Sequence, residues 1–328
     1  MKSLPYLFAC ACFIAMASGA VAAQTPPKVY RIGLLAGGEP VVDTSDTGKG
    51  LIRSFAQRGY KLGGNLAFER RAAQGRLDRL PQLVDELVAS RVDVILTIGF
   101  PSALAAKQRA PGIPIVVVQA GDPVASGLVA SFARPGGNLT GISEVADELS
   151  AKRLELLKEA VPRLHTVAML WNADDLAMTL RYRSANAEAR RLGVTVLPLG
   201  VHAPEDFEQA FSTMTKTPPN AILMVTDVLT NLNRKRVIDY AATHRLPAIF
   251  EHDYLVRDGG LMSYGPDMDD VFDRAAGLAD RILKGARPAE LPLEQPTRFR
   301  LAVNLRTAKA LGVRIPNSIL VRADMVIE

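Results

Sequence analysis

Short apolar runs rich in branched residues alternate along this chain with amphipathic stretches of about ten to fifteen residues, and glycine or proline marks most of the joins. The first run reads as a strand at 29–35 ending at Gly37-Gly38, a helix at 51–58 stopped by Gly59, and a strand at 66–70. A helix at 77–91, a strand at 92–98 ending in Gly99, a helix at 101–109 and a strand at 113–118 ending at Gly121-Asp122-Pro123 follow. The alternation then restarts. Helices at 149–161, 178–192, 204–214 and 230–244 are interleaved with strands at 166–171, 194–199, 221–225 and 247–250. Strands alternating with helices of this length indicate βαβ units and a parallel sheet. Two such runs predict two Rossmann-like lobes.

The turn-rich segment 134–141 is the expected first crossing between them, and 259–265 has similar punctuation after the second run. A helix at 268–283, a strand at 299–304 and a short helix to Leu311 fit neither run alone. They read as the chain returning to the first lobe and crossing once more, which gives a multi-strand hinge. The expected lobes are 29–142 with 264–290, and 143–263 with 291–328.

The N-terminus changes the picture of location. Lys2 precedes an apolar run to Met16 that closes with small residues at Ala20-Val21-Ala22-Ala23. This is the pattern of a cleavable secretory signal occupying 1–23, cut near Ala23, and the run is too short to span a bilayer. Export to the periplasm is the expectation. Both cysteines of the 328 residues, Cys10 and Cys12, lie inside that signal. The mature chain therefore has no thiol for disulfides, nucleophilic catalysis or metal ligation. The net charge of +5 is dispersed without a basic stripe, so no nucleic-acid partner is expected.

Enzyme signatures are missing where they would be looked for. Gly33, Gly37 and Gly38 lack the spacing of a dinucleotide fingerprint, and there is no phosphate-binding lysine loop, G-x-S-x-G elbow or H-E-x-x-H helix. In Glu251-His252-Asp253 neighbouring side chains point to opposite sides of the chain, an awkward arrangement for one metal. No catalytic residue, cofactor or metal is assigned.

In an open parallel sheet, ligands bind beyond the carboxyl ends of the strands. Those ends supply the candidate ligand-binding residues Gly37, Gly38, Glu39, Gly99, Phe100, Pro101, Ser102, Asp122, Asn172, Asp227 and Glu251. Pro101 suits a first helical position, and Ser102 sits beside free backbone N–H groups that would hold a carboxylate; the same residues also make an ordinary capped turn. Asp122, Asp174, Asp227 and Glu251 would meet an ammonium or hydroxyls, or serve as helix caps. Phe100, Trp171, Tyr182 and Tyr254 are candidates for apolar wall.

Longer motifs resemble a known family. Gly121-Asp122-Pro123-Val124, Gly127-Leu128-Val129, Arg134-Pro135-Gly136-Gly137-Asn138-Leu139-Thr140-Gly141, Gly259-Gly260-Leu261-Met262-Ser263-Tyr264-Gly265-Pro266 and Leu293-Glu294-Gln295-Pro296-Thr297 are similar to the ABC-transporter substrate-binding proteins that include tryptophan- and tyrosine-type binders. The resemblance implies a type I periplasmic-binding fold with three crossings and a small organic ligand, such as an amino acid or aromatic acid, in the cleft. It further implies a monomer that delivers this ligand to an ABC permease in the inner membrane. The loop Ala36-Gly37-Gly38-Glu39-Pro40 departs from the bulkier, histidine-containing stretch of the aromatic-amino-acid binders, so the ligand itself does not carry over. A secreted α/β enzyme using the acidic strand ends, and a ligand sensor for a membrane receptor, are the alternatives.

Overall fold

A computed structural model describes residues 28–144 and 146–328, and the expected export signal lies outside the described residues. The first run folds as β1 (Tyr30–Ala36), α1 (Asp46–Ala56), β2 (Leu66–Ala72), α2 (Leu80–Ala89), β3 (Val94–Ile98), α3 (Phe100–Arg109), β4 (Ile115–Val118) and β5 (Leu139–Ile142). The second comprises α4 (Ala146–Ala160), β6 (Thr166–Asn172), α5 (Leu176–Arg191), β7 (Thr195–Val201), α6 (Asp206–Lys216), β8 (Ala221–Met224), α7 (Val228–Leu232), α8 (Arg234–Thr243) and β9 (Ala248–Phe250). After it come α9 (Asp253–Arg257), β10 (Met262–Pro266), α10 (Met268–Leu283), β11 (Phe299–Asn304), α11 (Leu305–Leu311), α12 (Asn317–Leu320) and β12 (Met325–Ile327).

Among the described residues these strands make two sheets, ordered β2-β1-β3-β4-β5 and β12-β11-β10-β9-β8-β6-β7. The first is parallel throughout. In the second, only β10 and β11 pair antiparallel. The α/β class with two Rossmann-like lobes and a multi-strand hinge is thus the observed architecture.

Two segments read as punctuation turn out to be strands. Gly141 sits in β5, where an added Cβ would fall 2.3 Å from the Val117 carbonyl oxygen of β4. Glycine there permits close strand approach rather than marking a turn. The 259–265 stretch likewise runs into β10, whose glycine Gly265 lies against the backbone of Glu251. The expected 230–244 helix is two helices that meet at Asn233, and the first begins earlier because Asp227 caps it in a reciprocal pair with Thr230.

Helix α10 follows β10 of the second sheet but packs on the first. Val271, Phe272, Ala275 and Leu278 share one core with Ile32, Leu34, Val94 and Val116. Leu291 and Leu293 also join first-sheet cores. The chain then passes back alongside the first crossing: Ser143 N donates to Glu294 O at 2.8 Å, and Glu294 N donates to Gly141 O at 2.9 Å. With Asp267, which caps α10 right after β10, these segments form the hinge.

Helix α1 lies so close to α10 that a Cβ on Gly50 would come within 2.3 Å of Phe272 Cδ2. Alanine gains about 1 kcal/mol in helix propensity over glycine, whereas overpacking a core costs about 1–3 kcal/mol. Gly50→Ala is expected to unfold at a lower temperature than the wild type, as differential scanning calorimetry would show; an equal or raised midpoint would mean that Phe272 moves aside freely.

Candidate functional site

The carboxyl ends of both sheets face each other across a cleft of about 610 Å³. From the first lobe, the loops after β1, β3 and β4 bring Gly37, Gly38, Glu39, Gly99, Phe100, Pro101, Gln119 and Gly121 to the wall. The second contributes Asp175 after β6, Thr226 and Asp227 after β8, and Glu251, His252 and Tyr254 after β9. These positions follow from topology, because every parallel strand of a βαβ unit ends on the same edge.

Of the expected residues, Gly37, Gly38, Glu39, Gly99, Phe100, Pro101, Asp227 and Glu251 line the cleft, whereas Ser102, Asp122 and Asn172 lie off its wall. Ser102 is fully buried as the third residue of α3, its hydroxyl without a hydrogen-bond partner among the described residues. The Asp122 carboxylate is turned into its own loop, accepting from Val124 N and Ala125 N at 2.9 Å each. Asn172 stands behind Asp227, donating to its Oδ2 at 2.5 Å and accepting from Asp174 N at 3.0 Å. Trp171 and Tyr182 stack on each other at 3.8 Å in the second-lobe core and supply no wall. Phe100 packs against cores of both lobes.

Set into this wall is a buried ion network that spacing along the chain does not disclose, with Glu144, Arg181 and Glu251 on the lining and Arg153 behind them. Glu251 accepts from Arg153 at 2.9 Å and from Arg181 at 2.9 and 3.1 Å. Arg181 also pairs with Glu144, and all four side chains are largely shielded from solvent. Two positive and two negative groups leave the set neutral, which is the condition for burying them. Burial raises the Glu251 pKa, but the Arg153 and Arg181 charges outweigh it and hold the carboxyl below its ordinary range. Arg153 additionally donates to Tyr264 O at 2.7 Å, fastening α4 to β10.

Glu144 lies on the first crossing, and its carboxylate accepts from Gly121 N at 3.1 Å while holding Arg181 of α5. One side chain therefore ties the strand-end loop of the first lobe to a helix of the second. Around it the lobes touch at glycines. An added Cβ would lie 2.9 Å from Ala177 at Gly121, 2.9 Å from Val228 at Gly37 and 3.0 Å from Leu232 at Gly75. Asp46 of α1 and Arg257 of α9 close the mouth with a 2.9 Å ion pair.

The other carboxylates differ in kind. Asp175 caps α5 through Ala177 N and Met178 N, and burial, with the nearby Asp227 charge, pushes its pKa up to about 6. Asp227 receives Asn172 and Thr230. Neither has a lysine or arginine partner among the described residues. Gln119, at φ +58°, keeps its side-chain nitrogen buried without a partner. Strained backbone of this sort is held in place by its surroundings and gathers at ligand sites.

Two mostly parallel sheets joined by adjacent crossings, with strand-end groups of both turned into one cleft, define a two-lobed solute-binding protein of the type I periplasmic-binding fold. The profile of the ABC transporter substrate binding protein family matches residues 43–327, and the chain belongs to that family. It is 28% identical over 267 residues to the tyrosine-binding protein of Clostridioides difficile strain R20291, covering 81% of this chain and 76% of that one. Among solved structures it resembles a conserved domain protein from Vibrio cholerae O1 (TM-score 0.84, 25% identity, 91% of this chain and 100% of that chain). An ABC domain from Streptococcus pneumoniae in complex with L-Trp is similar at TM-score 0.83 and 25% identity, covering 92% and 100%. The ligand-free, open structure of a substrate binding protein with adhesive properties from Clostridium difficile, also 25% identical, reaches 0.65 over 91% and 99%. At equal identity the chain matches the liganded arrangement better than the open one, in keeping with its interlobe contacts.

Proposed function

We propose that this protein binds an amino acid or an amino-acid-like zwitterion in the cleft and hands it to an ABC permease. The observation that carries the reading is the pair Asp175, buried, and Asp227, half-buried: carboxylates without a cationic partner among the described residues, across the cleft from the first turn of α3. An ammonium group supplies the missing charge. The unpaired first-turn N–H groups of α3 and the helix dipole favour a carboxylate on the opposite wall. Phe100, Met178, Tyr254 and Phe272 provide apolar surface between them. The names of two relatives, a tyrosine-binding protein and an L-Trp complex, support the same chemical class.

In this reading the lobes are 28–143 with 267–295, and 144–266 with 296–328. The protein acts in the periplasm as a monomer without catalysis of its own, the lobes closing on the solute by hinge motion. Among the described residues no helix is long and apolar enough to cross a membrane. A thermal-shift screen of the twenty L-amino acids tests the proposal, which fails if none raises the melting temperature while sugars or nucleosides do.

The carboxylate pair also sets a pH dependence. With a folded pKa of about 6 against an ordinary 3.8, Asp175 binds its proton more tightly in the folded protein. Ligand-free stability from this group is therefore present below the unfolded value and lost as pH rises through about 6. Ligand affinity runs the other way, because an ammonium needs the ionised form. Titration calorimetry is expected to show affinity rising between pH 5 and pH 7, and Asp175→Asn is expected to weaken binding and flatten the profile. A profile as steep in that variant as in the wild type would remove Asp175 from the site.

A further inference from the structure

Besides Gln119, two polar side chains on the second-lobe wall of the cleft, Thr226 and His252, are left unused by the ammonium and carboxylate positions. Thr226 follows β8 and His252 follows β9, strands that pair in parallel with Leu223 opposite Ile249. Each lies two residues beyond the end of its strand, on neighbouring strands of the sheet, and both line the cleft. His252 is 8% exposed, and its ring stacks on Tyr254 with centroids 5.5 Å apart. Neither His252 Nδ1 nor Thr226 Oγ1 has a hydrogen-bond partner among the described residues. Buried polar atoms are ordinarily paired, and leaving them orphaned is costly. Two orphans at the ends of neighbouring strands on a ligand-facing edge mark a place where the ligand provides the partner.

The charge state of the imidazole narrows what that partner is. Burial first, and the nearby Arg153 and Arg181 charges, push its pKa down to about 4 against the pull of Glu251 and Asp253. At neutral pH the ring therefore offers one N–H donor and one lone pair, and the threonine hydroxyl offers both as well. An uncharged group that both donates and accepts satisfies the two together, whereas a hydrocarbon leaves both unpaired.

We propose that Thr226 and His252 form a neutral hydrogen-bonding subsite that selects solutes carrying a hydroxyl or amide in addition to their ammonium and carboxylate. This specificity rests on the zwitterion reading above. Isothermal titration calorimetry with the matched pairs L-threonine and L-valine, L-tyrosine and L-phenylalanine, and L-asparagine and L-leucine tests it on the wild type, His252→Phe and Thr226→Val. In the best-bound pair the polar member is expected to bind about 10- to 100-fold more tightly. In each variant that preference should shrink to about threefold or less, because the polar member loses more affinity than the apolar one. His252→Asn, which keeps a donor and an acceptor, should recover part of the preference. Equal binding of polar and apolar members by the wild type overturns the subsite, as does a preference that survives both substitutions. A uniform loss for both members that His252→Asn fails to correct also overturns it, by showing a purely structural role. If none of the six amino acids binds while solutes of another class do, the zwitterion reading falls and takes the subsite with it; that result differs from the others because no preference is measured at all.

Discussion

Gly121→Ala is expected to weaken ligand binding about 10- to 100-fold while leaving the fold intact. The residue has φ +66°, where alanine costs about 1–2 kcal/mol. That cost falls on open and closed forms alike. The added Cβ, 2.9 Å from Ala177 across the cleft, penalises only the closed form. If closure loses about 1.4–2.8 kcal/mol, apparent affinity drops by the stated factor, because it scales with the fraction of molecules able to close. Calorimetry measures the affinity, and small-angle scattering should show the variant staying extended when ligand is added. Gly63→Ala is the control: its φ is +76° with nothing within 4 Å of the added Cβ, so it carries the backbone cost without the interlobe contact. Equal loss of affinity in both variants would refute the steric account.

Arg181→Met should cost about 3–5 kcal/mol of folding stability, the usual penalty for stripping one partner from a buried ion set. Glu251 would keep Arg153, but Glu144 would be left with the Gly121 N–H and no cationic partner among the described residues. Replacing the charges together, as in Arg153→Met with Arg181→Met, Glu144→Leu and Glu251→Leu, is expected to cost less than Arg181→Met alone, because no uncompensated charge then remains inside. Urea unfolding monitored by circular dichroism distinguishes the two, and an Arg181→Met chain as stable as the wild type would show that the network is solvated in solution.

The parts of the fold that could be read from the chain were those with a local cause. Runs such as Ile115–Val118 are buried and branched, and α10 has apolar positions at helical spacing that end up in one core. Even the return of α10 to the first lobe was legible, since it fitted neither alternating run. Strands β5 and β10 were hidden because their glycines, Gly141 and Gly265, serve close backbone approach and not turns. For the candidate site, strand-end position located eight of the eleven expected residues on the cleft wall; Ser102, Asp122 and Asn172 missed it by side-chain direction, which one or two residues of loop decide. Arg153, Arg181 and Glu144 gave no signal at all. Each looks like an ordinary charge on its own element, and only tertiary packing brings them to Glu251. Asp175 was overlooked in favour of Asp174, whose carboxylate turns outward to His202 at 2.6 Å.

The interleaving of the chain bears on how the molecule is made. The face of the first sheet that Val271, Phe272, Ala275 and Leu278 cover stays open until α10 has been synthesised. The second sheet in turn waits for β11 and β12 beyond it. Neither sheet is completed by one continuous stretch of chain, and a fragment ending at Ile142 would leave an apolar sheet face uncovered and open to aggregation. Stable packing of both sheets therefore waits on the last third of the chain, with α10 completing the first and β11 and β12 the second.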